Sequence, residues 1–388
     1  MEIKKAYRLR IYPNRSQEQR LLQTIGACRF VYNYYLDKRK NHYLACGETL
    51  KFADLSRDLT QLRKQTEWMD TVQIVPLQQS LRALDTAFNR FYRKQAGFPR
   101  FKTRRAARQS FRKTNGWSIQ EDGLFLERGL TIRFRGTRPP AGMQMSTIAV
   151  TRTATGKWYA SVTCEQLVGK PVELDSTALG IDLGLTHLAI ASDGEKYENL
   201  SVHKRQLQAL KTLQQSLSRK DSGSARYRKA RLDVARLHEK ISNRRMNHLH
   251  QVSSAITGKN HALIAVEDLA VANMLKNRHL SRAISDASWG ELLRQLQYKQ
   301  EWRGGRFEKV GRFFPSSKTC NECGYIVQSM PLGVREWDCA RCGSHHDRDI
   351  NAAINIKKQA EVQLGVESTD GSPLAGESYR LDEVRSVV

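Results

Sequence analysis

The chain has 388 residues, and its 64 Lys and Arg outnumber its 39 Asp and Glu to give a formal charge of +25. This excess is larger than solubility requires, so it favours a polyanionic partner. No apolar run reaches the roughly 18 residues of a membrane span, and no apolar leader follows Met1, so we expect a cytoplasmic protein without a membrane partner. The length predicts two or more domains.

Alternating and helical patterns follow one another in the first half of the chain. Residues 5–13 alternate charged and apolar side chains, which predicts a strand that ends at Pro13. Helical spacing then follows Ser16, a candidate N-cap, and a second helix is predicted from about residue 76 to a break at residues 97–102. Short alternating strands return between residues 110 and 164. This order predicts a small β-domain interrupted by a helical bundle.

A basic segment with interleaved aromatic residues separates these helices from the later strands. Residues 91–113 contain nine Lys and Arg and no acid. Phosphate pairing combined with ring stacking is typical of proteins that bind single-stranded or structured nucleic acid. A membrane surface would attract the same charge, but no amphipathic helix with a clean apolar face accompanies it. The segment therefore predicts a nucleic-acid partner.

The second half of the chain alternates buried strands with helices. Residues 178–184 and 188–192 predict two strands, the first of which carries Asp182. Leucine stripes then predict a helical hairpin with its hinge at residues 220–224, and most of its Lys and Arg residues fit a solvated charged face. A further strand ends at Glu267, and an Ala- and Ile-rich helix begins near Asp349.

Acids in otherwise apolar strands require an explanation. Burying an unpaired carboxylate is costly or forces its protonation, so each acid should face a cation or lie at an open strand end. A single such acid is explained equally well as a strand-terminal cap. Asp182, Glu267 and Asp349 lie in three separate segments and can converge where helices pack on a sheet. Such a trio can hold two Mg²⁺ ions about 4 Å apart, one activating water and one stabilising the departing 3′ oxygen of a phosphodiester.

Four cysteines form two pairs near the C-terminus. Cys320 and Cys323 form one C-x-x-C pair, Cys339 and Cys342 form another, and fifteen residues separate the pairs. The two tight turns can supply four sulfurs to one tetrahedral Zn²⁺. Two disulfides or unpaired thiols are the alternatives, and a reducing compartment disfavours disulfides. The other three cysteines are predicted to be small core residues: Cys28, Cys46 and Cys164.

Several short motifs occur in order along the chain. They are LRIYP at residues 9–13, GFPRFK at 97–102, GIDLG at 180–184, VEDL at 266–269, ISDASWG at 284–290, LQYK at 296–299, FPSSK at 314–318, the cysteine pairs, and DRDINAA at 347–353. Together they resemble the TnpB family, which are transposon-encoded RNA-guided DNA endonucleases related to type V CRISPR effectors. The resemblance covers about residues 1–356.

The resemblance implies an α+β multidomain fold. It places a wedge-type β-barrel at residues 1–15 and 110–170, with a helical recognition domain inserted at residues 16–109. An RNase H-like (RuvC) α/β nuclease domain is implied at residues 171–315 and 343–360, with an inserted zinc ribbon at residues 316–342. The composition of residues 361–388, without periodicity, predicts a disordered tail.

The resemblance also assigns roles to individual residues. The catalytic acids and ligands of two Mg²⁺ ions are implied at Asp182, Glu267 and Asp349, and one structural Zn²⁺ is implied at the four cysteines. The neighbouring Asp268 and Asp347 are expected to be structural. Nucleic-acid contacts are expected at nine residues: Gln78, Ser80, Arg100, Lys102, Arg104, Arg105, Arg108, Thr114 and Asn115.

Within the expected contacts, the resemblance assigns Gln78, Ser80, Thr114 and Asn115 to a short duplex motif beside the target, and Arg348 is expected to help position the phosphate. The implied partners are a guide RNA made from the transposon end, with one protein per RNA, and double-stranded and single-stranded DNA. Base pairing with the guide would supply sequence specificity, as in Cas9-type systems.

The implied activity is cleavage beside the flanking motif, which would promote transposon retention in a bacterial or archaeal host and place the protein at the nucleoid. A nuclease-inactive, RNA-guided DNA-binding repressor is the alternative, and the intact acidic trio argues against it. A strand-joining transposase is a second alternative, but no separate strand-transfer constellation is visible.

Overall fold

The computed structural model describes residues 2–167, 172–331 and 333–365, and the chain divides into two units, residues 1–169 and 170–388. Most of the predicted disordered tail, residues 366–388, lies outside the described residues. In the described ranges, no helix combines the length and the apolar character that crossing a membrane requires.

The first unit combines antiparallel strands with a helical insertion. The insertion lies between the first two strands, in the order β1 (Glu2–Ile11), α1 (Arg15–Cys46), α2 (Phe52–Gln65), α3 (Glu67–Asp70), α4 (Ile74–Tyr92) and β2 (Gln109–Lys113). The later described strands are β3 (Ser118–Ile119), β4 (Leu124–Glu127), β5 (Leu130–Ile132), β6 (Phe134–Arg135), β7 (Gln144–Arg152) and β8 (Trp158–Leu167).

Strand pairing in the first unit gives two antiparallel sheets. The larger has the order β2-β7-β8-β1-β6, and the smaller has the order β3-β4-β5. The alternating residues predicted as strands therefore do pair on both sides of the helical insertion. The pairing runs from β2 at one edge to β6 at the other, and closure into a wedge-type barrel stays a prediction.

Helix α1 begins earlier than the sequence pattern indicated. Asn14, and not the predicted Ser16, is its N-cap. The Asn14 side chain accepts the backbone N–H of Gln17 at 2.9 Å, and the Gln17 side chain accepts the backbone N–H of Asn14 at 3.0 Å. This reciprocal capping box satisfies two N–H groups that a serine two residues later would leave unpaired.

One hydrophobic core joins the helices and the large sheet of the first unit. Leu9 of β1, Tyr35 of α1 and Leu81 of α4 are almost fully buried in it. Cys28 and Cys164 also lie in this core, as predicted. Cys46 is exposed at the last residue of α1, so its prediction as a core residue was wrong.

The second unit is built on a mixed five-stranded sheet. Its described elements are β9 (Asp175–Asp182), β10 (His187–Ala191), β11 (Lys196–Glu198), α5 (Val202–Ser218), α6 (Ala225–Gly258), β12 (His261–Glu267), α7 (Val271–Met274), α8 (Ser281–Ala287), α9 (Trp289–Trp302), β13 (Arg306–Val310), β14 (Glu336–Asp338), β15 (His345–Asp347) and α10 (Arg348–Gln363). The sheet order is β11-β10-β9-β12-β13, and β10 runs antiparallel to both of its neighbours. Strand β12 is parallel to β9 and β13.

Helices cover both faces of this sheet. On one face, Leu179 and Ile181 of β9 pack with residues of α6, α8 and α9. On the other face, Ala178 of β9 packs with Ile356 and Ala360 of α10. Helix α10 extends to Gln363 and so includes the first residues of the predicted tail.

Glycine at position 180 lets α10 approach β9 closely. A Cβ atom built there would clash with the carbonyl oxygen of Ala353 and lie 2.7 Å from the backbone nitrogen of Lys357. Real side chains do not tolerate contacts this short, so only glycine fits between the strand and the helix. This packing fixes the position of the α10 N-terminus against the end of β9.

Candidate active site and zinc site

Two of the predicted catalytic acids lie side by side at one edge of the sheet. Asp182 is the last residue of β9, and Glu267 is the last residue of β12. The strands are parallel and Ile181 pairs with Val266, so the next residue on each strand, Asp182 and Glu267, lies beside the other. Alternation along a strand places both on the α10 face, because Ile181 and Val266 face the opposite core.

The third acid reaches the same edge from α10. Asp349 is the second residue of that helix, whose N-cap is Asp347. The charge of Asp349 acts on Asp182 together with that of Glu267, and both raise the Asp182 pKa. The structure therefore brings the three acids together from two strands and one helix.

Burial and like charge act together on Asp182. Burial is the larger cause, the charges of Glu267 and Asp349 add to it, and the pKa of Asp182 rises from 3.8 to about 7. A hydrogen bond from the Leu183 backbone and the charge of Arg348 oppose the shift without cancelling it. A buried carboxylate of this kind favours a cation that would neutralise it.

Glu267 and Asp349 each have a partner that the sequence did not single out. The Ser316 hydroxyl donates a short hydrogen bond to a carboxylate oxygen of Glu267. The Arg335 guanidinium lies 3.3 Å from a carboxylate oxygen of Asp349. Ser316 belongs to the FPSSK motif, which was the available signal. Arg335 lies in no motif, and only the structure brings it to the site.

The acids are spaced more widely than ligands of a single ion. Among the described residues, the four cysteines are the one group of three or more potential ligands whose atoms all lie within 4.8 Å of one another. Ser316 and Arg335 contact Glu267 and Asp349 in this arrangement. A two-ion site with ions about 3.5–4 Å apart requires a wider set of oxygens than a one-ion site. The carboxylate oxygens are also the hard donors that Mg²⁺ prefers.

The neighbouring acids have structural contacts. Asp268 pairs with Arg312 at 2.6 Å. Asp347 caps α10 by accepting the backbone N–H groups of Asp349 and Ile350 at 3.0 and 3.1 Å, and it pairs with Lys196 at 2.6 Å. These contacts agree with the expectation that both acids are structural.

Arg348 is held by backbone carbonyls. Its guanidinium donates to the carbonyl oxygens of Pro331 and Val334 at 3.1 and 3.3 Å. Its charge nonetheless lowers the Asp182 pKa. A role in positioning a phosphate stays a prediction.

The four cysteines have the geometry of a zinc site. The Cys320 and Cys342 sulfurs are 3.7 Å apart, and those of Cys323 and Cys339 are 3.6 Å apart. A tetrahedron with Zn–S bonds of about 2.3 Å has sulfur–sulfur edges of about 3.8 Å. Contacts with Ser344 lower the pKa of the Cys342 thiol, whereas burial raises the pKa of the Cys320 thiol, so a bound cation would be needed to hold all four as thiolates. The described residues therefore fit one Zn²⁺.

Both cysteine pairs close in the same kind of turn. In each pair the glycine after the second cysteine donates to the carbonyl of the first, from Gly324 to Cys320 at 3.0 Å and from Gly343 to Cys339 at 2.8 Å. The φ angles of these glycines are 73° and 74°, a left-handed conformation that glycine adopts without strain. His346, which lies 3.1 Å from the Cys320 sulfur, was not predicted.

Two buried asparagines connect the zinc site to α10. The side chains of Asn351 and Asn355 donate to the carbonyl of Thr319 at 2.8 and 2.6 Å, and the Asn351 oxygen accepts the backbone N–H of Asn321 at 3.0 Å. Asparagines spaced four apart in an Ala- and Ile-rich helix were the available signal. The helix that carries Asp349 is thus joined to the turn that carries Cys320.

The predicted nucleic-acid contacts fall into an exposed group, one half-buried residue and one buried residue. The exposed group lies in the segment after α4 and in the turn after β2: Arg100, Lys102, Arg104, Arg105, Arg108, Thr114 and Asn115. Its arginines form no ion pair in the part of the chain that the structure describes. Gln78 is half-buried in α4. Ser80 is buried and donates its hydroxyl to the Cys28 carbonyl at 2.6 Å, so that hydroxyl is already engaged.

Lys113 differs from the other cations of the basic segment. It is 2% exposed, and its ammonium donates to Gln73, Gly116 and Leu126. Three acceptors satisfy the three N–H bonds of a lysine, so the group is structural and not available to a phosphate. Of the nine cations in the predicted basic segment, Lys113 is therefore not expected to contact nucleic acid.

The fold and the sites define a two-unit α/β protein with a carboxylate centre and a four-cysteine metal site. Three family models match parts of it. Residues 161–278 match "Probable transposase", residues 289–356 match "Cas12f1-like, TNB domain", and residues 1–47 match "Helix-turn-helix domain". The last range contains β1 and the single helix α1, so it does not form a helix-turn-helix here.

Two curated relatives match nearly the whole chain. "Putative RNA-guided DNA endonuclease" of Streptomyces pristinaespiralis is 39% identical over 92% of this chain and 89% of its own length. "Putative RNA-guided DNA endonuclease InsQ" of Escherichia coli (strain K12) is 33% identical over 96% of both. A solved Cas12f1–sgRNA–target DNA complex has a similar fold, with a TM-score of 0.60 and 12% identity over 92% of this chain and 99% of that chain. The chain belongs to the TnpB family of RNA-guided DNA endonucleases.

Proposed function

We propose that this chain is a Mg²⁺-dependent, RNA-guided DNA endonuclease that hydrolyses phosphodiesters at Asp182, Glu267 and Asp349. The observation that carries the proposal is the convergence of these acids at the ends of β9 and β12 and the start of α10. Family membership supplies the RNA-guided part. The mixed strand order with β10 alone reversed supports an RNase H-like arrangement of the second unit.

The three acids would hold two Mg²⁺ ions, which when bound supply an activated water and charge stabilisation for the leaving oxygen. Ser316 fixes one oxygen of Glu267, so that carboxylate is oriented before the ions bind. Arg335 contacts Asp349 and offers its remaining N–H groups to an incoming phosphate.

The four cysteines would hold one structural Zn²⁺. Its role would be to fix the turn around Cys320, to which Asn351 and Asn355 attach α10. Because Asp349 lies in the first turn of the same helix, zinc binding would also fix the third acid. Structural zinc sites contribute directly to folding.

The proposed division of labour follows the two units. The strands at residues 1–15 and 110–170 would form a wedge domain, and the helices at residues 16–109 a recognition domain. Residues 171–315 and 343–360 would form the RuvC nuclease domain around a zinc ribbon at residues 316–342. The exposed arginines after α4 would bind the guide RNA, and Gln78, Thr114 and Asn115 would contact the flanking duplex motif. Ser80 could contribute there only if its bond to Cys28 broke.

A nuclease-inactive, RNA-guided repressor would need no catalytic acids. The complete trio and the raised pKa of Asp182 argue against it, because a strained carboxylate with no function would be easy to lose. We therefore favour the endonuclease. Cleavage beside the flanking motif by such an enzyme would promote transposon retention.

The test is cleavage of a target duplex by the protein and its copurified RNA, with Asp182→Asn, Glu267→Gln and Asp349→Asn compared with wild type. Each variant should lose cleavage in Mg²⁺ while target binding is nearly unchanged, since each removes a metal ligand and no phosphate contact. Asp268→Asn is the matched control, because it removes the neighbouring carboxylate and should keep most activity.

Exchange of the guide segment tests the RNA-guided part. A new guide should redirect cutting to a matching sequence beside the same flanking motif, and protein without RNA should leave the duplex intact. Cutting of a defined site by RNA-free protein, or full activity of any variant in the acidic trio, would contradict the proposal.

A further inference from the structure

One fully exposed aromatic side chain lies beside the carboxylate centre. Phe313 is 94% exposed, the highest value among the large apolar side chains of the described residues. Exposed apolar residues are common, but a phenyl ring held almost completely in solvent loses the burial that normally stabilises it. Phe313 lies three residues before Ser316, whose hydroxyl bonds the carboxylate of Glu267.

The loop that carries Phe313 is tied to the catalytic strand on both sides. Before Phe313, Arg312 bonds the carboxylate and carbonyl of Asp268 at 2.6 and 3.1 Å. After it, Ser316 bonds the carboxylate of Glu267. Between them, the backbone N–H of Phe314 bonds the carbonyl of Gly311 at 3.0 Å, which makes a turn. The ring is therefore presented from a backbone fixed to Glu267 and its neighbour.

The adjacent phenylalanine meets the packing requirement of the same loop. Phe314 is partly buried and packs against the core between the sheet and α10. Phe313 makes no such contact, so the fold does not need an aromatic residue there. An aromatic side chain at that position is better explained by a ligand.

We propose that Phe313 stacks on an unpaired base of the DNA strand whose phosphate lies at the carboxylate centre, and that it thereby sets which phosphodiester is cut. The inference rests on the proposed endonuclease function. Cations next to exposed rings are typical of single-strand binding. Arg312 and Arg335 are paired with Asp268 and Asp349 at 2.6 and 3.3 Å, and each keeps further N–H groups that would reach the phosphates beside the stacked base. A base is the favoured partner of the ring, because every base offers a flat apolar face. The phosphate of the same nucleotide strand would be held at the carboxylate centre through bound metal.

The test uses the complete protein–RNA complex and DNA targets in which one nucleotide near the cut lacks its base. In wild type, removing the base at one position should slow cleavage at limiting DNA about 5- to 150-fold, the range expected for one lost stack. Phe313→Ala should show the same loss on intact DNA and no further loss when that base is absent. Phe313→Trp should retain the position dependence, and Phe313→Leu should lose it.

A structural role would give a different pattern. Phe313→Ala would then remain as sensitive to base removal as wild type, and its unfolding temperature would fall; either result overturns the inference. Val362→Ala is the matched control, since it truncates another exposed apolar side chain at the far end of α10 and should behave as wild type.

The outcomes separate the inference from the function on which it rests. If wild type does not cut, or if Asp182→Asn cuts fully, the proposed function is wrong. If wild type cuts, Asp182→Asn does not, and Phe313→Ala matches wild type on every target, only the stacking assignment is wrong.

Discussion

Asp182 shows how a functional residue can oppose folding. Its carboxylate is half-buried at the end of β9 beside two like charges, and desolvation together with these charges raises its pKa to about 7. In the metal-free protein above that pH, Asp182 is charged although desolvation and repulsion both disfavour its charge. This lowers the stability of the folded state. Bound cations would reverse this, because they turn three mutually repelling acids into ligands.

Replacing Asp182 by Asn should therefore stabilise the metal-free protein in a pH-dependent way. Below pH 3.8 the carboxyl is protonated in both folded and unfolded chains, so the variant gains nothing there. As pH rises to about 7 the unfolded chain alone releases the proton, and the stabilising contribution of the protonated folded form is lost. The free energy of unfolding of the variant should therefore rise relative to that of wild type between about pH 4 and pH 7. The difference should reach at most about 4 kcal/mol and stay constant above pH 7.

Thermal unfolding at pH 5 and pH 8 in Mg²⁺-free buffer without chelator measures this gain and leaves zinc in place. Asp268→Asn is the control, because Asp268 is exposed and paired with Arg312 and its loss should not stabilise the protein. An unfolding temperature of Asp182→Asn equal to wild type at both pH values would show that the site is not strained.

Helix α10 is the element on which both metal sites depend. Its first turn carries Asp349, its buried asparagines hold the Cys320 turn, and its backbone lies against Gly180 of β9. A shift of this helix would therefore disturb the acidic trio and the zinc site together.

Gly180→Ala should displace α10 and abolish cleavage. The added methyl group would meet the Ala353 carbonyl and the Lys357 nitrogen, which are backbone atoms and cannot rotate away. Overpacking of this kind costs about 1–3 kcal/mol or more. Denaturant unfolding and the Mg²⁺-dependent cleavage rate together measure the effect.

Gly290→Ala is the matched control in the same unit. Position 290 lies in α9 and has open space around its Cβ direction, so alanine should be neutral or should stabilise the helix by up to about 1 kcal/mol. Equal behaviour of the two variants would show that the α10 contact at Gly180 does not constrain the site.

The four-cysteine turn gives a second prediction at the level of elements. Cys339→Ser should remove zinc and strongly reduce cleavage through the Asn351 and Asn355 contacts, although residue 339 is not a catalytic ligand. Metal content by elemental analysis should fall from one zinc per chain to none. Cys46→Ser removes an exposed cysteine outside the cluster and should keep both zinc and activity. Zinc-free wild-type protein with full activity would contradict the assignment.

The charge of the whole molecule sets its expected behaviour with nucleic acid. A net charge of +25 on 388 residues produces a strong attraction to any polyanion, so affinity should fall steeply with salt. Unpaired cations contribute most to this slope, because a cation that already has an acidic partner neutralises less phosphate charge and so displaces fewer counterions from the nucleic acid.

Neutralising Arg104, Arg105 and Arg108 together to Gln should flatten the salt dependence of RNA affinity. Each lost phosphate contact should reduce the log–log slope by about 0.7–0.9. The control removes the same charge from three arginines that pair with acids, namely Arg57, Arg236 and Arg294. RNA affinity measured across a salt series should give a smaller slope for the first triple variant than for the control. Equal slopes would show that Arg104, Arg105 and Arg108 lie on an ordinary solvated face and do not contact RNA phosphates.

The sequence by itself determined the local features of this protein. Short apolar runs predicted β9 and β12, helical spacing predicted the hairpin of α5 and α6, and the paired cysteines predicted a four-sulfur site. These features depend on neighbours within a few residues, so the pattern of side chains is sufficient. The position of Glu267 at a strand end followed from the same local pattern, whereas Asp182, predicted inside a strand, proved to be the last residue of β9.

Only the tertiary structure decided which residues meet across long separations in sequence. Ser316 bonds Glu267 from 49 positions away, and Lys113 of the predicted basic segment is buried, with its ammonium bonded to three acceptors. Arg335 reaches Asp349 although no motif marks it. Such contacts depend on sheet order, on the glycine that admits α10 and on packing geometry. Residue type and spacing do not encode these separately, because the same lysine or serine is stable either in solvent or buried with its hydrogen bonds satisfied.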